Sequence, residues 1–379
     1  MVVFLMRLFL RIIYLLFLYK NEKVNFQKVK KILIYGSMGI GNMILFTPTI
    51  KAIRKRFPKA RVTLLVGNTG CEEVLKGSDL VDEIINFQMN QADIIGKLKF
   101  IRGIRKRRFD LLISNFHGAN LSLLTILSSI PYKIGHVTSP GWRNKFDFVY
   151  NFKVRMAENE NEIYRDLRLA YALGVKEDEV DKNPIIWIEK EDREYADNFL
   201  KQNGIHRKDL VIGVNPVTSL VWKWRWWSLD RYAELCDKLI EACKAKVILL
   251  AAPNEVDLME YVAKNMEYES IIAAGKTTLK QTAALIEEAK LLICNDSGLM
   301  HVSSAVGTPV VAIYGPTDYT RTAPLGKKHT IIRKNLDCSP CFQLDGTERA
   351  ENCPYDYKCL NYISVEGVFN VVTKKLENI

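Results

Sequence analysis

The sequence predicts an α/β protein built from two doubly wound, Rossmann-like domains facing a central cleft. Three observations carry this. Short apolar runs such as Lys31–Tyr35, Leu291–Cys294 and Val310–Tyr314 are continuous, not alternating, as parallel strands covered on both faces require. Helical stretches separate them in a repeating strand–helix–strand order. At 379 residues the chain exceeds one ordinary domain, and the alternation restarts after Lys182-Asn-Pro184. The expected parts are an amino-terminal helix (1–20), a first domain (30–183), a second domain (184–364) and a closing helix (365–379).

Composition narrows the class. Nearly half the residues (48%) are hydrophobic, enough for large cores, and the formal charge of +11 calls for an anionic partner. Six basic residues and no acid lie between Lys99 and Arg108, either a solvated helix face or a patch for an anionic acceptor or a membrane. No aromatic RNA-binding motif or DNA-reading helix accompanies them, so nucleic acid is not the expected partner.

From Met1 to Tyr19 the chain is apolar apart from Arg7 and Arg11, and Lys20 closes the run. Its length approaches a bilayer span, but two arginines four apart share one helix face. That favours a helix lying in the membrane interface, its guanidinium groups toward lipid phosphate, over one that crosses. No small-residue cleavage site follows, which argues against a removed secretory signal. The cytoplasmic side is expected.

Lys31–Tyr35 is the first buried strand, followed by the glycine-rich turn Gly36-Ser-Met-Gly39-Ile-Gly41. The spacing is neither the dinucleotide G-x-G-x-x-G nor a P-loop. Met43–Phe57 reads as a helix, with Pro48 kinking it or, after Thr47 as cap, starting its main body. Arg61–Val66 is the second strand. Phe109–Ser114 is a strand running into the polar loop Asn115-Phe-His117-Gly118, and Lys133–His136 a further one. In the second half, Val211–Asn215, Leu229–Cys243 and Lys246–Ala251 read as strand, helix and strand. The loop Asn215-Pro-Val-Thr218-Ser precedes a cluster of four tryptophans around Lys223 and Arg225.

Lys290–Asp318 organises the rest. Asn295, Asp296 and Ser297 fall at the carboxyl end of a buried strand where a helix begins, the place at which open α/β sheets bind ligands. Free N–H groups at a helix start attract phosphate, and small residues at Ser297 and Gly298 let a ligand approach the backbone.

Asn295-Asp-Ser-Gly-Leu-Met-His301 followed by Gly307-Thr-Pro-Val-Val-Ala-Ile-Tyr-Gly-Pro-Thr-Asp318 resembles the signature of glycosyltransferase family 9, the lipopolysaccharide heptosyltransferases and their relatives. The run from Gly39 to Pro48, ending in Arg56-Phe-Pro-Lys-Ala60, is similar to the family's amino-terminal motif, and the resemblance extends over about Lys30–Val368. It implies the GT-B architecture and an inverting sugar transfer from a nucleotide-diphospho-sugar, ADP-heptose above all, to an anionic lipid-linked saccharide. It also implies that Asp296 contacts the donor sugar while Ser297 and Gly298 offer N–H groups to the diphosphate. His301 lies one helical turn on, a ligand contact or a core histidine, and Thr317 and Asp318 rim the site. Counting from Trp227, Arg225 stands where the family has a lysine that neutralises the leaving diphosphate, with Lys223 the alternate. Gly39, Gly41 and Thr218 complete the substrate-binding set.

One departure matters. Where the family usually has an aspartate proposed as catalytic base, this chain has Asn42, and an amide cannot take up a proton at neutral pH. Either another group serves, His117 being the substitute, or the member is slow, altered or silent.

Eight cysteines divide into two sets. Cys71, Cys236, Cys243 and Cys294 sit in apolar contexts and read as core. Cys338, Cys341, Cys353 and Cys359 follow a C-x2-C-x11-C-x5-C spacing that permits four-thiolate structural zinc, with disulfides or free thiols as alternatives. Catalysis itself is expected to need no metal, since cations and helix N–H groups can stabilise the leaving diphosphate. The rivals to a transferase are a nucleotide-sugar epimerase of similar architecture, a silent sugar-nucleotide-binding protein favoured by Asn42, and a nicotinamide dehydrogenase disfavoured by glycine spacing.

Overall fold

The computed structural model describes residues 26–36, 39–68, 70–115, 119–137, 148–157, 160–342 and 348–379. The expectations for the helix at 1–20 and for His117 lie outside the described residues. The chain divides into two compact units, Met1–Lys182 and Asn183–Ile379.

The first unit holds β1 (Lys31–Tyr35), α1 (Ile40–Arg56), β2 (Arg61–Val66), β3 (Glu83–Asn86), α2 (Ile94–Arg107), β4 (Leu111–Ser114), α3 (Ala119–Leu127), β5 (Tyr132–Val137), β6 (Phe152–Arg155) and α4 (Glu162–Tyr171). Its six-stranded sheet runs in the order β3-β2-β1-β4-β5-β6 and is parallel throughout. β1 therefore lies at the topological switch point, its carboxyl end pointing at the site where such sheets bind ligands.

The second unit repeats the plan. It contains α5 (Lys190–Gln202), β7 (Val211–Asn215), α6 (Leu229–Cys243), β8 (Lys246–Leu249), α7 (Val256–Lys264), β9 (Ile271–Ile272), α8 (Leu279–Glu288), β10 (Leu291–Asn295), α9 (Gly298–Val306), β11 (Val310–Ile313), α10 (Tyr319–Thr322), β12 (Thr330–Ile332), α11 (Glu348–Glu351), α12 (Lys358–Asn361) and α13 (Val365–Leu376). The strand order β12-β11-β10-β7-β8-β9 is the first unit's order again, all parallel. Here β7 and β10 flank the switch point, paired Leu291 to Ile212 through Cys294 to Asn215.

Burial explains why these runs become strands. Every residue of β4, β7, β10 and β11 is buried, so alternation would have exposed half of an apolar run for nothing. The second unit's core centres on Trp227 and Tyr232, fully buried and packed edge to face at 5.0 Å. α13 packs against α6 and contributes Val365, Val368 and Val372 to that core.

One local expectation is corrected. α1 starts at Ile40, inside the glycine turn, and carries Pro48 within it; Thr47 is no cap, its hydroxyl donating back to the Ile44 carbonyl at 2.7 Å. Ten residues of α1 between Met43 and Ile53 are buried, and that burial outweighs the backbone hydrogen bond lost at Pro48. Met43 of α1 packs close on Gly36, where a Cβ would stand 2.3 Å from its Cε.

Candidate functional site

At the carboxyl edge of the second sheet, two buried asparagines join the loops. Asn295 ends β10, accepts from the Trp227 backbone N–H at 3.0 Å and donates to the Pro216 carbonyl at 2.5 Å. Asn215 ends β7, donates to the Leu250 carbonyl at 2.7 Å and accepts from the Ser297 hydroxyl at 2.7 Å. Both polar atoms of each amide bond to the surrounding loops, which ties the floor of the site together. With its hydroxyl committed to Asn215, Ser297 makes no side-chain cap to α9, whose first turn also lacks an acid. The first N–H groups of α9, beginning at Gly298, are therefore open to an anion.

Arg225 closes one wall. It lies at the end of a 3-10 turn (Leu220–Arg225), with its guanidinium 5.4 Å from the centre of the Trp222 ring. Its Nη2 donates to the Asp296 carbonyl at 2.7 Å and also to the Asp296 carboxylate. The two residues read separately from the sequence thus form one ion pair, nearly buried on the Asp296 side (5% exposed). His301 is buried one turn into α9. Burial, helped by the Arg225 cation and opposed by Asp296, pulls its pKa down to about 4, so the imidazole is neutral at pH 7.

Four buried polar atoms here have no hydrogen-bond partner among the described residues: Nε of Arg225, Nε1 of Trp224, Nδ1 of His301 and Oγ1 of Thr317. A buried polar group left unmade costs about 1–3 kcal/mol, so a run of four at one sheet edge is a place that a polar ligand could satisfy. Trp224 was not singled out by the sequence; its neighbours Trp222 and Phe342 pack with it at 5.4 and 5.0 Å. The remaining predicted residues serve differently. Thr218 accepts from Trp226 Nε1 through its carbonyl, and Lys223 is exposed over the Trp226 ring. Asp318 caps α10, accepting from the N–H of Thr320 at 3.0 Å and its hydroxyl at 2.6 Å.

In the first unit, Asn42 is exposed in the first turn of α1, at the carboxyl end of β1. Gly39 precedes the helix in extended conformation, and a Cβ there would meet nothing within 4 Å. Gly41 is half-buried in the same turn. A buried network that the sequence reading missed lies at the same sheet edge. Asp166 accepts from Asn115 Nδ2 at 2.8 Å, from Arg165 at 3.2 Å, and lies 3.2 Å from His136 Nε2. Burial alone would raise the Asp166 pKa, but Arg165, His136 and Asn115 more than offset it and hold it low. The available signal was Glu162 and Asp166 lying on the otherwise apolar face of α4. Nδ1 of His136 and Oδ1 of Asn115 also lack partners among the described residues.

The four clustered cysteines line one cavity together with Pro316, Ala350 and Tyr355. Burial plus the neighbouring thiols push Cys359 up to about 12. Among the described residues, no group of three or more His, Cys, Asp or Glu side chains is arranged to hold a metal ion. The segment is tied to the site: Ser339 Oγ donates to the Gly315 carbonyl at 2.7 Å, and the N–H groups of Cys341 and Phe342 donate to Pro316 at 2.9 Å. Leu360 packs so closely on Gly315 that a Cβ there would stand 2.6 Å from it.

Comparison with known proteins places this geometry. The model of glycosyltransferase family 9 (heptosyltransferase) matches residues 97–350. Lipopolysaccharide heptosyltransferase 2 of Escherichia coli is 28% identical over 319 residues, covering 80% of this chain and 88% of that protein. Among solved structures, a family 9 glycosyltransferase from Veillonella parvula superposes with a TM-score of 0.81 at 23% identity, covering 95% of this chain and all of that one. The Escherichia coli ADP-heptose lipopolysaccharide heptosyltransferase II superposes with a TM-score of 0.73 at 21% identity, covering 92% and 99%.

Proposed function

The chain belongs to glycosyltransferase family 9, with the GT-B fold, and from that premise we propose that it moves heptose from ADP-heptose onto an anionic lipid-linked saccharide, such as the lipopolysaccharide inner core, with inversion. The observation that carries the donor side is the set of partnerless polar atoms around Arg225 and the open start of α9. The similar Escherichia coli structure is described as an ADP-heptose enzyme, which supports the choice of donor.

In the proposed reaction an acceptor hydroxyl attacks the anomeric carbon as the bond to the diphosphate oxygen breaks. The nucleoside diphosphate leaves with the bonding electrons, and the hydroxyl proton passes to a base. Arg225, through the donors it does not spend on Asp296, the N–H of Ser297 and the first N–H groups of α9 from Gly298 stabilise the departing charge. Asp296 holds Arg225 in place and faces the sugar. Neutral His301 and Thr317 offer hydrogen bonds without adding charge, and Lys223, Thr218 and Asp318 border the donor. On the acceptor side Asn42 orients the hydroxyl between Gly39 and Gly41 and leaves the proton to another group, for which His117 is proposed. An oxocarbenium-like transition state tolerates a weak base, so Asn42 and turnover are compatible.

For Cys338, Cys341, Cys353 and Cys359 we propose a structural zinc ion. The all-sulfur donor set suits zinc, and the four cysteines that would hold it already line one cavity. Metal content of the purified full-length protein tests this: one equivalent supports it, and metal-free protein with four titratable thiols refutes it. The acceptor implies work at the cytoplasmic face of the inner membrane, peripheral or anchored through residues 1–20. Among the described residues no helix is long and apolar enough to cross a membrane.

Calorimetric titration with ADP-heptose, ADP, UDP-sugars, GDP-sugars and NAD tests the donor. Selective ADP-heptose binding that weakens in Asp296→Ala supports the reading. Preference for UDP- or GDP-sugars changes the substrate, and no nucleotide binding at all defeats it. Transfer assayed for wild type beside Asn42→Asp separates an enzyme from a silent binder. A working enzyme turns over as it stands, whereas activity that appears only in Asn42→Asp identifies a silent member.

A further inference from the structure

α2 carries a surface that the transfer chemistry does not use. Ile94, Ile95 and Leu98 are 62%, 72% and 47% exposed, an unusual concentration of large aliphatics on one short helix. At about 100° per residue they share a sector of roughly 120° with Arg102, Arg105 and Lys106, all exposed. The rest of the helix turns inward: Ile101, bordering the sector, and Ile104 are buried in the core, and Phe100 on the far side stacks on Phe87 at 3.9 Å. The helix contains no acid, and Asp93 before it is committed as its cap, accepting from the Gly96 N–H at 2.7 Å. Arg107 pairs with Glu83, but among the described residues Lys97, Lys99, Arg102, Arg105 and Lys106 have no ion pair.

We propose that the outward face of α2 docks on an anionic lipid bilayer, with Ile94, Ile95 and Leu98 entering the headgroup boundary while Arg102, Arg105, Lys106 and Lys99 engage lipid phosphates. Charge complementarity selects this occupant. A protein partner buried against the aliphatic triad would have to neutralise an adjoining row of unpaired cations. A bilayer surface supplies apolar depth and a continuous sheet of negative charge at once. The inference rests on this surface alone and stands whether or not the donor is ADP-heptose.

The test is partition of the full-length chain onto phosphatidylcholine vesicles with and without a quarter of phosphatidylglycerol, with hydrogen exchange followed in peptides covering 94–107. That local readout separates α2 from any binding by residues 1–20. Binding that requires the anionic lipid is expected, with slowed exchange in 94–107. Partition should fall about tenfold in Arg102→Glu/Arg105→Glu and severalfold in Ile95→Ser/Leu98→Ser. These positions are exposed, so thermal melting should not change. Loss in the charge variant with none in the aliphatic variant would overturn insertion. Unchanged exchange in 94–107, equal binding to both vesicle types, or protection induced by a soluble polyphosphate or self-association instead of vesicles would overturn the proposal.

Discussion

In the second unit the carboxyl edge of the sheet ends in Asn215, Asn295, Asp296 and Ser297, held by bonds between loops and opening onto Arg225 and the bare start of α9. In the first unit the same edge, reached by the same strand order, ends in Asn42 at the surface and a buried knot of Asn115, His136, Arg165 and Asp166. One unit leaves its donors unmatched; the other spends most of them internally. A shared topology therefore fixes where a ligand can bind, whereas the number of polar atoms left over decides how strongly a charged one is held.

The knot in the first unit offers the sharpest way to break this comparison. Asp166→Ala leaves His136 and Asn115 without their buried partner and Arg165 paired with Glu162 alone, which should cost about 3 kcal/mol and lower the melting temperature of that unit by roughly 10 °C. Scanning calorimetry with and without nucleotide would detect it. If instead donor affinity fell while melting stayed put, the knot would be a binding site like its counterpart. In the second unit, Arg225→Ala should reduce kcat/KM by about 10²–10³, the usual loss of one charge-stabilising group, with Arg225→Lys recovering part of it. Equal loss of stability in both variants would make the Arg225–Asp296 pair structural.

The smallest effect concerns pH. His301 has a folded-state pKa of about 4 against 6.5 for a free imidazole, so the folded protein binds fewer protons between those values. Its contribution is intact above pH 6.5 and declines as the pH falls, by about 2 kcal/mol at pH 5. His301→Gln should flatten the acid limb of the stability profile in denaturant melts from pH 7 to 5. An unchanged slope would mean that His301 reaches water or a partner.

The sequence by itself determined most of the architecture. Short continuous apolar runs bounded by turn residues read as buried parallel strands, and polar residues such as Asn295 and Asp296 stand at their ends, so strand, edge and site were readable together. The motif resemblance supplied the family. Tertiary structure alone decided which polar atoms were spent. Arg225 and Asp296 are 71 residues apart in sequence, as are His136 and Asp166 by 30, and a local pattern holds no record of such pairings. The cap on Asp318, the proline carried inside α1 and the exposed aliphatics on α2 were settled the same way, because burial and hydrogen-bond satisfaction depend on what the rest of the chain brings alongside.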